Sequence, residues 1–316
     1  MQKAVWIEEK KILNRALRAL KPFDPYSSPL CACPPKLSLN VYTGCGFECF
    51  YCYTSSYLFG RWGYGNTSWG PKLNLIENLK KDIEKIEETP AWEKYKTVAV
   101  SLSSDPYPET KYISEKKLSL TRQCLKLLSE NRFRVLLQTK SPLFLRELDI
   151  LDPLNTVIGV TITTMDEKIA GKIEKYAPSP KKRLAALAQA AKQGFKTLVR
   201  IDPLIPEINT DVKELGKMTA LFADSGIKQV IFSAYKRKHD SQARFSKIFP
   251  AIEEKTRGLY DFSKSISGYF YMKEPLRRAL LLKAVTLAVK YNLPVSVCRE
   301  GFTDLNTAVC DGRGLL

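Results

Sequence analysis

Cys45, Cys49 and Cys52 stand in the spacing C-x3-C-x2-C within VYTGCGFECFYCY, residues 41–53. Soft thiolates select zinc, copper(I) or iron–sulfur clusters. Structural zinc wants four ligands, commonly two separated C-x2-C pairs, and this compact trio has no fourth cysteine or histidine beside it. The single histidine, His239, lies in a distant basic stretch and reads as a surface residue. A four-iron cluster held by three cysteines keeps one iron open to a small ligand, and an open iron is a place for catalysis.

The other cysteines sort differently. Cys31, Cys33, Cys298 and Cys310 come from opposite chain ends, and four thiols fit a second iron–sulfur cluster or a zinc site if the fold joins them. If it does not, they are unrelated small residues in loops. Cys124 shares a helical face with Leu120 and Leu127 and reads as packing. Eight cysteines in a chain that opens without a secretory pattern argue for metal ligation or packing over a disulfide framework.

Elements must deliver these thiols. Residues 1–35 give a helical segment and then KPFDPYSSPLCACPP, whose five prolines mark an irregular crossing. KLSLNVY, residues 36–42, alternates as a strand that ends at the cysteine loop. Further strands are expected at 97–102, 134–138, 156–162, 197–201 and 229–232, with helices at 73–86, 114–129, 181–192 and 211–223. A short helix begins near Pro142. A late helix opens at Pro275 and runs to about residue 290, and 295–298 is a candidate last strand. Strand-then-helix order implies parallel strands, either an open doubly wound sheet or a barrel. Polar residues gather just after strand ends, including Ser103, Ser104, Lys140 and Asp202, which favours the barrel. No G-x-G-x-x-G or P-loop follows any strand. Three regions are expected: an extension at 1–35, a core at 36–233, and a basic insertion, helix and cysteine-bearing extension at 234–316.

Lysine and arginine outnumber acids 50 to 33, a net charge of +17 that favours an anionic partner or serves solubility alone. Hydrophobic residues at 44% and charged residues at 26% are ordinary for a soluble globular chain. No apolar stretch reads as a membrane span, so a cytoplasmic protein without a membrane partner is expected.

The cysteine loop resembles the signature of the radical S-adenosylmethionine superfamily. Tyr51 and Tyr53 around the third cysteine, SSDPYPETKY, LTRQCLKLL, LLQTKSPLFLREL, VTITTMDEK, APSPKKRLAAL and DPLIPEIN together resemble its spore photoproduct lyase-like branch, over about residues 37–232. The resemblance implies an α/β fold, a partial (β/α)6 TIM-type barrel with N- and C-terminal extensions. It implies a [4Fe-4S] cluster on Cys45, Cys49 and Cys52 that cleaves S-adenosylmethionine reductively, with a reductant such as ferredoxin or flavodoxin. Tyr51 would pack near the adenine, with Tyr53 alongside it. Ser103 and Ser104 would take the edge that holds the methionine amino group. Lys140 would pair with the methionine carboxylate, and Thr161 would bond that carboxylate or the ribose. Asp105, Tyr107 and Glu109 would line the same mouth, and Arg200 and Asp202 would flank the fifth strand. In the lyase proper a cysteine three residues before the aspartate returns hydrogen to the repaired thymine; here that position is Leu102.

Nucleic acid is the expected substrate, with a peptide, protein or small metabolite as the alternative enzyme reading and a non-catalytic iron–sulfur nucleic-acid binder as the third. Arg61, Trp62, Tyr64 and Trp69 follow the cysteine loop. Lys236, Arg237, Lys238, Arg244, Tyr260, Phe262, Tyr269 and Tyr271 populate the insertion. Cations for phosphates and aromatic faces for bases make a nucleic-acid groove, while the same aromatics could instead pack the insertion onto the core.

Overall fold

The computed structural model describes residues 2–54, 70–110 and 113–316, so Arg61, Trp62, Tyr64 and Trp69 lie outside the described residues. Helix α1 (Gln2–Ala16) leads to strand β1 (Lys21–Phe23), which pairs antiparallel with β2 (Lys36–Leu39). The short strands β3 (Tyr42–Thr43) and β4 (Gly70–Pro71) pair with each other on either side of the cysteine loop. β5 (Thr97–Val100), β6 (Arg134–Thr139), β7 (Thr156–Thr161), β8 (Lys196–Leu204), β9 (Gln229–Ala234) and β10 (Val295–Val297) complete one sheet in the order β1-β2-β5-β6-β7-β8-β9-β10. All neighbours from β2 to β10 are parallel. The sheet ends at β1 and β10 without closing, which is the expected partial barrel.

Period-two alternation decides what each face does. Val98, Val100, Val135, Leu137, Ile158, Val160, Val199, Ile201, Val230 and Phe232 point outward into the core shared with the helices. On the helix side, Leu79, Ile83 and Ile86 of α2 (Leu75–Glu87) repeat at helical spacing and are all buried. Ala99, Leu136, Val157, Leu198 and Ile231 form a separate inner cluster, on which Leu315 and Leu316 pack. The carboxyl-terminal segment therefore crosses the inner face. Gly312 permits this approach: its φ is +83°, and a Cβ there would fall 2.3 Å from Leu198 Cδ2.

One helix departs from expectation. The segment 114–129 splits into α3 (Glu115–Leu118) and α4 (Leu120–Glu130) at Ser119, whose φ is 50°. The fully buried Glu115 carboxylate accepts the amides of Leu120 at 3.2 Å and Thr121 at 2.9 Å, capping the second helix from within the first. The remaining crossover helices are α5 (Glu167–Ile173), α6 (Pro180–Lys192) and α7 (Val212–Asp224). The insertion carries α8 (His239–Ile248) and α9 (Pro250–Arg257), and α10 (Glu274–Lys290) precedes β10. Among the described residues no helix is long and apolar enough to cross a membrane.

Candidate functional site

The cysteine loop is held at both ends and from behind. Gly44, just before the first cysteine, and Glu48, just before the second, take positive φ, 83° and 48°, and turn the chain at each end of that span. The Cys52 amide donates to the Cys49 carbonyl at 3.1 Å and closes the turn before the third thiol. Phe50 N–H donates to the Ile173 carbonyl and Tyr176 N–H to the Phe47 carbonyl, both at 3.1 Å, so the end of α5 anchors the loop. Behind it Phe50 is buried against Phe245 and Tyr235, ring centroids 5.4 and 5.6 Å away, and Arg244 Nε donates to the Phe50 carbonyl at 2.9 Å.

The insertion therefore buttresses the loop. Arg237, Tyr260, Tyr269 and Tyr271 are buried, and Arg237 is tied up with Glu253 and Thr256. These four do not form the outer groove expected of them: Tyr260 joins a second small core with Phe50, Tyr235 and Phe245, Arg237 stacks on Tyr260 at 4.0 Å, and Tyr269 and Tyr271 are buried beneath Lys238 and Lys236. Of the other four, Arg244 is spent on the loop and on Asp240 at 2.7 Å, Phe262 packs against the same core, and Lys236 turns into the cavity described next.

All three thiols open on one cavity of about 380 Å³ along the inner face, at the carboxyl ends of the strands. Burial pushes the Cys45 thiol up to about 12 and the Cys49 thiol upward as well, with Lys140 pulling Cys49 the other way. Three soft donors converging on a desolvated pocket are a set that a metal centre would deprotonate and fill. Among the described residues no three Cys, His, Asp or Glu side chains converge on a single ion position. Three thiols with no fourth cysteine or histidine beside them fit a four-iron cluster that keeps one iron open better than they fit four-coordinate zinc.

A buried charge network stands beside the trio. Glu174 pairs with Arg183 at 2.5 Å, both essentially fully buried, accepts Thr163 Oγ1 at 3.2 Å and is bonded by the Tyr51 hydroxyl. Arg183 also donates to the carbonyls of Thr161 at 2.9 Å and Pro178 at 2.6 Å. Burial works against the Glu174 charge, but Arg183 and Lys140 outweigh it and hold the carboxyl below the usual range. Burial likewise opposes the Lys140 charge, and the fields of Cys49 and Glu174 reverse that and raise it. Lys140 Nζ sits 5.5 Å over the Tyr51 ring and lines the cavity with Thr161.

The opposite edge is built by side chains whose roles the motif alone did not reveal. Asn40 Oδ1 accepts the Ser103 amide at 2.8 Å, and Ser104 Oγ donates to the Tyr42 carbonyl at 2.9 Å. Asp105 accepts from Thr139 Oγ1 at 2.9 Å, the Lys140 amide at 2.8 Å and the Tyr107 amide at 3.0 Å, stitching the ends of β5 and β6 together. The Tyr53 hydroxyl bonds the Leu102 carbonyl. Ser103, Ser104, Asp105 and Leu102 reach the cavity wall; Tyr107 is buried outside it, and Glu109 pairs with Ser114 at 3.0 Å. Cys124 is fully buried in the main core, as its helical face predicts. Farther along the wall, Arg200 pairs with Asp202 at 2.7 Å, and Lys236 pairs with the buried Glu300 at 2.6 Å. The lining also includes Cys31, Cys33, Cys298 and Cys310.

The family model of the Radical SAM superfamily matches residues 39–219, more than half of the chain. The chain belongs to this superfamily. Membership implies a [4Fe-4S] cluster and S-adenosylmethionine, as the loop and its fit foreshadow. Among curated relatives, the uncharacterized protein MJ0683 of Methanocaldococcus jannaschii is 28% identical over 243 residues, covering 76% of this chain and 86% of that one. The uncharacterized protein ORF301 of Acidianus two-tailed virus is 33% identical over 205 residues, 61% of this chain and 65% of its own. Among solved structures, a spore photoproduct lyase mutant with bound AdoMet and dinucleoside spore photoproduct aligns with TM-score 0.63 at 16% identity, covering 83% of this chain and 75% of that chain. A second spore photoproduct lyase complex with the same dinucleoside aligns with TM-score 0.61 at 18% identity, covering 81% and 74%. At these identities the structures share the fold.

Proposed function

We propose that this radical SAM enzyme holds its cluster on Cys45, Cys49 and Cys52 and abstracts hydrogen from a nucleic acid. The observation that carries the reading is the meeting of those thiols with Lys140, Ser103, Ser104 and Thr161 on one cavity. When bound, the cluster supplies the electron that splits S-adenosylmethionine into methionine and the hydrogen-abstracting 5′-deoxyadenosyl radical. The chain's own residues bind and orient. The raised Lys140 ammonium pairs with the methionine carboxylate, Ser103 and Ser104 accept from its amino group, and Thr161 donates to the carboxylate or ribose. Tyr51 and Tyr53 wall the site, each fixed through its hydroxyl to Glu174 or to the Leu102 carbonyl. A reductant such as ferredoxin or flavodoxin in the cytoplasm completes the cycle.

The charge surplus supports nucleic acid as substrate, and so does likeness to lyases that hold a dinucleoside lesion. Leu102 lies on the cavity wall, and a leucine cannot return hydrogen as a thiol does, so the reaction ends differently from spore-lesion repair. Anaerobic turnover with deuterated DNA or RNA tests this. Deuterium should appear in 5′-deoxyadenosine; 5′-deoxyadenosine formed without label from either polymer would overturn the substrate assignment.

A further inference from the structure

Four thiols that the radical chemistry does not use share the wall of its cavity. Cys31 and Cys33 arrive on the loop before β2, Cys298 follows β10, and Cys310 lies on the carboxyl-terminal segment. The fold ties these distant pieces together. Gly301 N–H donates to the Leu30 carbonyl at 3.1 Å, Arg313 Nη1 to the Pro35 carbonyl at 3.2 Å, and Lys36 pairs with Asp311 at 2.6 Å. Cys33 is hydrogen-bonded to both Cys31 and Cys310. Cys298 lies within electrostatic range of all three and is bonded by Arg200.

The surroundings suit an anionic centre. Lys36, 2% exposed, places Nζ 2.9 Å from Cys33 Sγ while pairing with Asp311 at 2.6 Å, so a buried cation already stands against one of the four thiols. Arg200, paired with Asp202 at 2.7 Å, is also bonded to Cys298. Four cysteine sulfurs complete the ligand set of a four-iron cluster, one on each iron, and four-sulfur zinc is the competing occupant of the same thiols.

We infer that Cys31, Cys33, Cys298 and Cys310 hold a second iron–sulfur cluster on the same cavity, closed by four thiolates and so without an iron for S-adenosylmethionine. This goes beyond the proposed function, which needs only the inner cluster. Full thiolate coordination makes the outer cluster an electron carrier, and the adjacent Lys36 and Arg200 favour its reduced, more negative state.

The test is iron, sulfide and zinc analysis with EPR of the reduced full-length protein after anaerobic reconstitution, with and without S-adenosylmethionine. Wild type should hold about eight irons per chain, and a Cys31→Ser/Cys33→Ser/Cys310→Ser variant about four, with a signal that shifts on adding S-adenosylmethionine. A Cys45→Ser/Cys49→Ser/Cys52→Ser variant should also keep about four, with a signal that ignores S-adenosylmethionine. Iron-free inner variant, equal iron in wild type and outer variant, or zinc in place of iron would each overturn the inference. An outer variant with its iron but no response to S-adenosylmethionine would instead count against the proposed function, so the two failures are distinct.

Discussion

The two cysteine groups reach one cavity by opposite routes. Cys45, Cys49 and Cys52 lie within eight residues, and their chemistry follows from spacing; Cys31, Cys33, Cys298 and Cys310 span almost the whole chain and share a wall because the segments before β2 and after β10 are tied together across the inner face. The inner loop is supported by a buried carboxylate, Glu174, with Arg183 and Lys140 around it. The outer wall is supported by Lys36 against Asp311. A local motif announces itself in sequence, whereas an assembled one needs the fold to be drawn first.

The largest effect expected from breaking this comparison is at the inner loop. Cys49→Ala should lower 5′-deoxyadenosine formation by more than about 100-fold, beyond the loss common for groups that only support a ligand. With dithionite, which reduces the inner cluster without a relay, Cys310→Ala should leave S-adenosylmethionine cleavage without added substrate within about threefold of wild type, because a group that neither binds nor splits the sulfonium contributes little to that barrier. Both are read by single-turnover product analysis.

Glu174→Gln comes next. It leaves Arg183 charged and unpaired in the interior, and urea unfolding should show a loss of about 3–5 kcal/mol at neutral pH. Because the folded protein holds Glu174 below the usual carboxylate range, its contribution is complete above that range and fades as pH falls through the lowered value. The gap between variant and wild type should therefore shrink in acid. A gap that is constant with pH would remove Glu174 as the ionised support of the loop.

Lys140→Met should act on binding. Losing a charge-assisted bond to the methionine carboxylate predicts a KM for S-adenosylmethionine raised about 10- to 100-fold, with kcat changed far less. The equivalent Lys36→Met at the outer wall should leave that KM unchanged. The smallest effect is on nucleic-acid affinity: replacing one exposed insertion lysine such as Lys264 with Ala should reduce the salt dependence of DNA or RNA binding by about one unit of slope.

The parallel strands, their order and the cysteine loop were legible because alternation and a tight spacing are local signals, whereas the antiparallel edge strand β1 lay in the proline-rich stretch expected to be irregular. Asn40, Glu174 and Arg183 were not, since each is one ordinary polar residue whose meaning comes from burial beside a loop far away in sequence. A carboxylate on the apolar side of the short helix ending at Ile173 was the one hint available for Glu174. The break at Ser119 was hidden for a similar reason: Glu115 looks like a first-turn acid and acts as an internal cap. The insertion misled in the other direction. Its alternating cations and rings suited a groove, yet Phe50 and Tyr235 offered Tyr260 an apolar surface to close, and Arg237, Tyr269 and Tyr271 were buried beside it in cation–ring contacts.

The most direct test of the central claim is anaerobic incubation of reconstituted wild type and Cys49→Ala with dithionite and S-adenosylmethionine, followed by quantification of 5′-deoxyadenosine and methionine. Wild type should form both in equal amounts and Cys49→Ala neither; equal yields from the two proteins would contradict the assignment of the inner loop as the site of radical initiation.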